Sequence, residues 1–284
     1  MIAEARASLH QHVEALPVLP HVVAQVMNLD PEAPDFFDDV VRIIETEPNY
    51  AVRLVAVANS VSVRGVAPIT RIREAVVRLG ARGVSRLIIS MSVVRVFVPR
   101  TDWERGLWIH ALEVASVARA LARHGAKGLD CERAYLSGLL HDVGRFILFN
   151  AAPEVLQEVD EASWATPATL LDAEREICGV DHAALGAEVC ARWGLPEHFI
   201  DFVSLHHAPD VEVRLGGCDG RLARLVQVAD LAGFSSVSST HTLPRFRDMK
   251  PKEAETFVRE ALPPWYARAN EAVDVVCEAL RQAD

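Results

Sequence analysis

The sequence has few cysteines and no long apolar run, and each shortage excludes a class of protein. Five cysteines, an odd number without a CxxC pair, do not make a disulfide framework or the paired thiolates of a zinc ribbon. No run of 18 or more apolar residues occurs, so a transmembrane helix is not expected. The N-terminal stretch MIAEARASLHQHVEALP is charged and lacks the apolar core of a signal peptide. Positive net charge is missing as well: 29 Lys and Arg against 39 Asp and Glu leave −10, which opposes non-specific binding to nucleic acid. Period-2 apolar runs between hairpin turns are absent, as are internal repeats and low-complexity tracts. These absences describe a reduced, cytoplasmic protein with no membrane partner.

What is present is helical periodicity. Half of the 284 residues are hydrophobic, enough for one large domain or two small ones. VVAQVMNL, DDVVRIIETE, YAVRLVAVANSV and REAVVRLGARGVSRLIISMSVVRVF all repeat apolar residues at three and four. Prolines fall where helices start, as in LPVLP and at Pro48. The fold class is therefore all-α. Pro99–Asp102 makes the clearest break, GGCDG (216–220) reads as a loop, and SSVSSTHTLP (235–244) as a longer polar one. The last segment reads as two helices broken at Pro263 and Pro264.

Charge is unevenly spread. Residues 61–100 carry eight arginines (64, 71, 73, 78, 82, 86, 95 and 100) against Glu74, while residues 30–47 hold seven acids against Arg42. The two stretches are expected to neutralise each other in part; the sharper reading is a basic patch for an anionic partner. A helix-turn-helix with Gly80 and Gly83 at its turn is conceivable in VVRLGARGVSRLII. The acidic balance and the need for those apolar residues in a core argue against DNA.

The eleven histidines separate by context. His10, His12 and His21 near the N-terminus, His124 and His198 beside charged or turn residues, and His241 in a polar loop read as surface or packing residues. The rest lie in apolar surroundings. His110 opens HALEVASVARALARHG; His141 and Asp142 lie on ERAYLSGLLHDVGRFILF; His182 opens DHAALGAEVCARWG; His206 and His207 end HFIDFVSLHHAP; and Asp230 sits in LARLVQVADLAGF. Small residues at helical spacing (Ser137, Gly144, Gly186) are read as leaving room for a ligand beside the imidazoles. Singly, each histidine has an ordinary explanation as a hydrogen-bonded core residue, and a buried carboxylate needs only a partner. Together, five imidazoles and two carboxylates on successive helices suit one divalent transition ion, or two bridged by Asp142. Cys178 and Cys190 flank the His182 helix without ligand spacing and read as core thiols.

The order H…HD…H…HH…D resembles the HD superfamily of metal-dependent phosphohydrolases. More specifically, the chain is similar to the HDOD domain, the HD-related output domain of bacterial signalling. LPVLP, IIETEPNYAVRLVAVANS and ITRIREAVVRLGARGVSRLII carry the likeness in the first half. LSGLLHDVGRFIL, DHAALGAEVCARWGLPEHF and LHHAP carry it in the second. The resemblance spans roughly residues 12–235. It implies a helical N-terminal subdomain (1–100) packed on an HD-like helical subdomain with the site (101–240), followed by a helical extension (241–284). It also implies that His110, His141, Asp142 and Asp230 hold one ion (Fe, Mn, Zn or Ni) and that His182, His206 and His207 hold a second, with Asp142 shared.

In hydrolytic relatives such ions act on phosphate esters. Here Asp142 and Arg145 would be the catalytic residues if the chain is an enzyme. Three features lean the other way. Cyclic-dinucleotide hydrolases of the superfamily commonly have Lys in the place of Arg145, and Arg can clamp a phosphate but not give up a proton. Those enzymes are also similar to one another in a Gly-Tyr-Pro element after the paired histidines, where this chain reads HHAPDVEVRLGG. The HDOD family as a whole is treated as regulatory. The resemblance therefore implies a signalling module whose partners are proteins on other chains, with an anionic ligand or nucleotide as a further candidate. The alternative is a metal-dependent phosphohydrolase of nucleotides or phosphate esters.

Overall fold

Apolar residues at three- and four-residue spacing become helices wherever the computed structural model describes the chain, which is over residues 21–30, 33–46, 48–60, 69–96, 102–125, 128–151, 158, 159, 162 and 167–236. Twelve helices and no strand occur among the described residues. The chain forms two units. One is built on Pro17–Val98 with Trp193–Pro196, the other on Pro99–Arg192 and the residues from Glu197 onward. LPVLP, residues 99–101 of the expected break, His10, His12, His241 and the expected extension 241–284 lie outside the described residues.

The first unit contains α1 (His21–Met27), α2 (Phe36–Glu45), α3 (Pro48–Ser60) and α4 (Ile72–Val96). In α2, Phe36, Val40, Val41 and Ile44 make one buried stripe. Asp38 and Asp39 sit in its first turn and Arg42 in its last, signs that suit the helix dipole. The Asn59 side chain accepts from Ile69 N at 2.8 Å and donates to Ile69 O at 2.9 Å, so one amide ties the end of α3 to the residues before α4. Within the buried interior, Tyr50 Oη pairs with Ser92 Oγ at 2.5 Å, and Ser92 also donates to Ile88 O. Helix α4 is broken at Gly80, whose φ of 72° and ψ of 162° only glycine adopts readily. The long periodic run is thus two helices joined at one residue. Arg73 of the basic stretch pairs with Asp38 of the acidic one, at exposed positions where such a pair contributes little. Arg42 pairs with Asp39 within the acidic stretch itself.

The second unit contains α5 (Asp102–Gly125), α6 (Cys131–Leu140), α7 (Val143–Ala151), α8 (Pro167–Cys178), α9 (His182–Arg192), α10 (Glu197–Leu205), α11 (Val211–Leu215) and α12 (Gly217–Ser236). Helix α5 packs along α6 and α12, α7 along α9, and α9 along α10. Asp130 caps α6, its Oδ1 accepting from the backbone N–H of Glu132 and Arg133. Two contacts are made backbone to backbone. A β-carbon on Gly138 would stand 2.8 Å from Ala115 Cα, and one on Gly144 would stand 1.9 Å from His182 O. A β-carbon on Gly186 would meet the same crossing, 3.1 Å from Gly144 N. The glycines at 144 and 186 therefore do not leave space for a ligand, as their spacing had suggested. Another helix fills that space.

Three sequence expectations are corrected in this unit. His110 lies well inside α5 rather than at a helix start, because the preceding DWERGLWI continues the same periodicity. GGCDG is not a loop. Gly216 and Gly217, both with positive φ, reverse the chain within two residues, and α12 begins at once. Gly220 completes the reversal by seating against Glu212, whose carbonyl oxygen would be 2.2 Å from any β-carbon there. Finally, ERAYLSGLLHDVGRFILF is not one helix: α6 ends at Leu140, α7 starts at Val143, and His141 and Asp142 form the turn between them.

Candidate metal centre

Five elements of the second unit supply the side chains that the sequence singled out. His110 comes from α5, His141 and Asp142 from the α6–α7 turn, His182 from the first residue of α9, His206 and His207 from the turn after α10, and Asp230 from α12. The structure brings all seven together, and none is more than 8% exposed. They fall into two groups whose candidate donor atoms lie within 4.8 Å of one another: His110, His141 and Asp230, and Asp142, His182, His206 and His207.

Asp142 joins the groups because its two oxygens face different ways. Oδ2 lies 3.7 Å from His110 Nε2 and 3.5 Å from His141 Nε2. Oδ1 lies 3.2 Å from His182 Nε2 and 3.7 Å from His206 Nε2. Asp230 Oδ1 closes the first group at 3.1 Å from His110 Nε2 and 3.4 Å from His141 Nε2.

Three of the other ring nitrogens are committed elsewhere, while His207 Nδ1 lies 4.0 Å from Asp230 Oδ2. His141 Nδ1 pairs with Gly138 O at 2.7 Å, His206 Nδ1 with Val203 O at 2.6 Å, and His182 Nδ1 with Glu174 Oε2 at 2.6 Å. Carbonyl and carboxylate oxygens can only accept, so the hydrogen-bond network assigns the proton to Nδ1 in each ring and the lone pair to Nε2. His182 Nε2 and His206 Nε2 then face each other at 3.2 Å, lone pair against lone pair unless a cation or proton intervenes. His141 Nε2, His207 Nε2 and Asp230 Oδ1 are buried without a well-aligned hydrogen bond. Atoms this close, aimed past one another, are what metal coordination requires and hydrogen bonding does not.

Electrostatics agree. Burial opposes charge on Asp142, but His141, His182 and His206 hold it well below the ordinary carboxylate range. Asp230 is lowered in the same way by His110 and His141 against the effect of burial. Burial alone would lower His141, yet Asp142, Asp230 and the Gly138 carbonyl lift it to about 9. For His182, Glu174 and Asp142 overcome burial and lift it to about 10. His206 is lowered by burial and by neighbouring His182 and His141, and His207 well below its usual value by burial and by His206 and His182. Anionic carboxylates among imidazoles suit a borderline divalent transition ion. The first group with Asp142 Oδ2 offers two nitrogens and two oxygens; the second offers three nitrogens and one oxygen. The residues present fit a metal.

Two supporting residues escaped sequence reading. Glu174, fully buried on α8, accepts from both the ring and the backbone N–H of His182. Gln227 Nε2 on α12 donates to His206 O and Ala208 O, both at 2.8 Å, and clamps the turn that carries the paired histidines. Glu174 sits in LDAEREIC, where it looks like any acid on a solvated helix. Gln227 lies three residues before Asp230, the one hint that its face is internal. Arg145, in the first turn of α7, is buried to 1% exposure, and its backbone N–H donates to Asp142 O. His198 belongs to neither donor group and is half-buried against Phe199. Cys178 and Cys190 are buried in the core, with thiols pushed up to about 12 chiefly by burial.

No helix among the described residues is long and apolar enough to cross a membrane. Compared with known proteins, the chain is 30% identical over 204 residues to a protein of Treponema pallidum (strain Nichols), which covers 71% of this chain. The chain spans 39% of that relative's length. Among solved structures, an HDOD domain protein of unknown function from Geobacter sulfurreducens superposes with a TM-score of 0.70 at 23% identity, covering 99% of both chains. A candidate phosphohydrolase from Shewanella amazonensis SB2B superposes with a TM-score of 0.66 at 22% identity, covering 98% of this chain and 99% of its own. At these identities the likeness is one of fold. Residues 16–209 match the HDOD domain itself, and the chain belongs to the HDOD domain family.

Proposed function

We propose that this chain is a metal-binding regulatory module, in which a buried ion or ion pair sets the conformation presented to a protein partner on another chain. The observation that carries the reading is the Asp142 carboxylate, one oxygen turned to each of two buried donor groups. A buried carboxylate is costly without a cation beside it. In metal-free protein the raised His141 and His182 supply that charge as protons, and a divalent ion would replace them. Burial of every donor favours regulation over turnover, since a phosphate ester must reach the ion to react. Absence of the Gly-Tyr-Pro element after His207 points the same way. An anionic ligand or nucleotide is a further candidate for the signal that the module reads.

A metal-dependent phosphohydrolase is the second reading, favoured by the two-sided arrangement around Asp142. A bound ion would supply Lewis-acid charge to a phosphoryl oxygen. Arg145 would be the residue to hold a phosphate, as a clamp that keeps its proton.

Metal analysis of tag-free full-length protein purified without chelator tests the first reading. One or two equivalents of Fe, Mn, Zn or Ni are expected in the wild type, with loss in Asp142→Ala. Metal-loaded protein is then screened against phosphate mono- and diesters. Turnover lost with Asp142→Ala would establish the second reading. Metal without turnover leaves the regulatory one standing, and no metal even after reloading ends both.

A further inference from the structure

Three imidazoles of the centre are aimed by what their other ring nitrogen holds. For His141 and His206 that partner is a backbone carbonyl three residues earlier. For His182 it is Glu174, on a different helix. Glu174 Oε2 accepts from His182 Nδ1 at 2.6 Å and from His182 N at 2.8 Å, while Oε1 is buried without a hydrogen-bond partner. A carboxyl group with no exposed surface that serves a single residue is an expensive component.

Local structure does not call for it. Helix α9 is already capped by Asp181, whose Oδ1 accepts from Ala184 N at 2.7 Å. Asp181 is in turn held by Arg175 Nε at 2.7 Å. The start of α9 is therefore secured without Glu174. What Glu174 adds is control of one ring. It holds the proton on Nδ1, fixes the imidazole plane and leaves Nε2 facing Asp142 Oδ1 at 3.2 Å.

We propose that Glu174 is a positioning residue for the metal, acting through His182 on the His182–His206–His207 group and not on the His110–His141–Asp230 group. A carboxylate behind a ligating imidazole raises its basicity and fixes its orientation, and loss of such a partner weakens metal binding by about 10–100-fold. The backbone carbonyls behind His141 and His206 hold their rings without adding a charge. Of these three rings, that of His182 is the one with a carboxylate behind it. This inference rests on the metal-binding reading above.

The test is Co2+ titration of the metal-free full-length chain, followed by calorimetry and by the visible d–d absorption of the bound ion. Asp230→Ala assigns one binding event to its group, and His182→Ala assigns the other. Glu174→Gln, which keeps the shape and removes the charge, is expected to weaken the His182 event by about 10–100-fold, shift its absorption and leave the other event in place. In a His182→Ala background, Glu174→Gln should cause no further loss. Equal weakening of both events, no weakening, or a full additional loss in the double variant would overturn the positioning role while leaving metal binding intact. A wild-type chain that takes up no Co2+ would remove the metal-binding reading itself, and the role of Glu174 with it.

Discussion

The two units bury different chemistry. Among the described residues of the first, Ser92 is the fully buried polar side chain, meeting the Tyr50 hydroxyl, and Arg78 Nη1 and Ser90 Oγ are buried atoms of half-buried residues. The second buries His110, His141, Asp142, Arg145, Glu174, Asp181, His182, His206, His207 and Asp230. Both have the same secondary structure and comparable helix lengths, so the contrast does not arise from fold class. It arises from what the interior is for. An apolar core is stabilised by its own burial. A core of imidazoles and carboxylates loses solvation and recovers it only through partners. The second unit has the composition of a site that costs stability, and the first that of a part stabilised chiefly by apolar burial.

Glycine provides the sharpest way to break this comparison. A β-carbon on Gly144 would run into His182 O and one on Gly80 would meet nothing within 4 Å, yet both are glycines that a side chain would disturb. Gly144→Ala must push α7 off α9 at the residue that starts the His182 helix. A loss of about 3 kcal/mol or more is expected, at or beyond the usual cost of overpacking, together with loss of bound metal. Gly80→Ala strains only its own backbone, costing about 1–3 kcal/mol, and should leave metal content unchanged. Urea denaturation with metal analysis of both variants is the check. If Gly80→Ala releases metal as readily as Gly144→Ala, the first unit supports the centre and the contrast between the units fails.

How far the centre could be read in advance follows from the same glycines. The helical class was legible because period-3.6 patterns persist for whole segments, and the seven candidate donors stood out because each is ionisable amid apolar neighbours and falls in the order of the family resemblance. Gly144 and Gly186 were visible as small residues, but a sequence does not say whether the space beside a glycine holds a ligand or another backbone. The break at His141 and Asp142 was hidden because the apolar period runs through it without Pro or Gly at the break. Glu174 was hidden by its neighbours. DAERE has the charge pattern of a solvated face, and only the crossing of α8 with α9 turns one of its acids inward.

pH separates the units more gently. In metal-free protein, His141 at about 9 and His182 at about 10 are raised above their unfolded values. Their stabilising charge is fully present below about pH 6.5 and is lost as pH rises through 9 to 10. The melting temperature of chelator-treated protein should therefore fall across that window. Metal-loaded protein should not follow, because ligation requires neutral imidazoles and strengthens as protons leave. Asp142 and Asp230, held low, contribute stability above about pH 4 that is lost with further acidification. Superimposable alkaline melting profiles with and without metal would show that the centre takes up no ion.

The smallest effect belongs to the first unit. Tyr50→Phe removes the hydroxyl that meets Ser92, yet Ser92 keeps its bond to Ile88 O at 2.7 Å and is not left unsatisfied. The ring stays buried, so no cavity opens beyond the volume of one oxygen. The expected cost is about 0.5–1.5 kcal/mol, the net value of one intramolecular hydrogen bond. It should be read as a shifted denaturation midpoint with an unchanged slope and an unchanged Co2+ titration. A polar contact in the first unit's core then tunes stability alone, whereas the Glu174–His182 contact of the other unit is proposed to tune a metal donor as well. A change in Co2+ affinity on loss of the Tyr50 hydroxyl would mean that the apolar unit also shapes the centre.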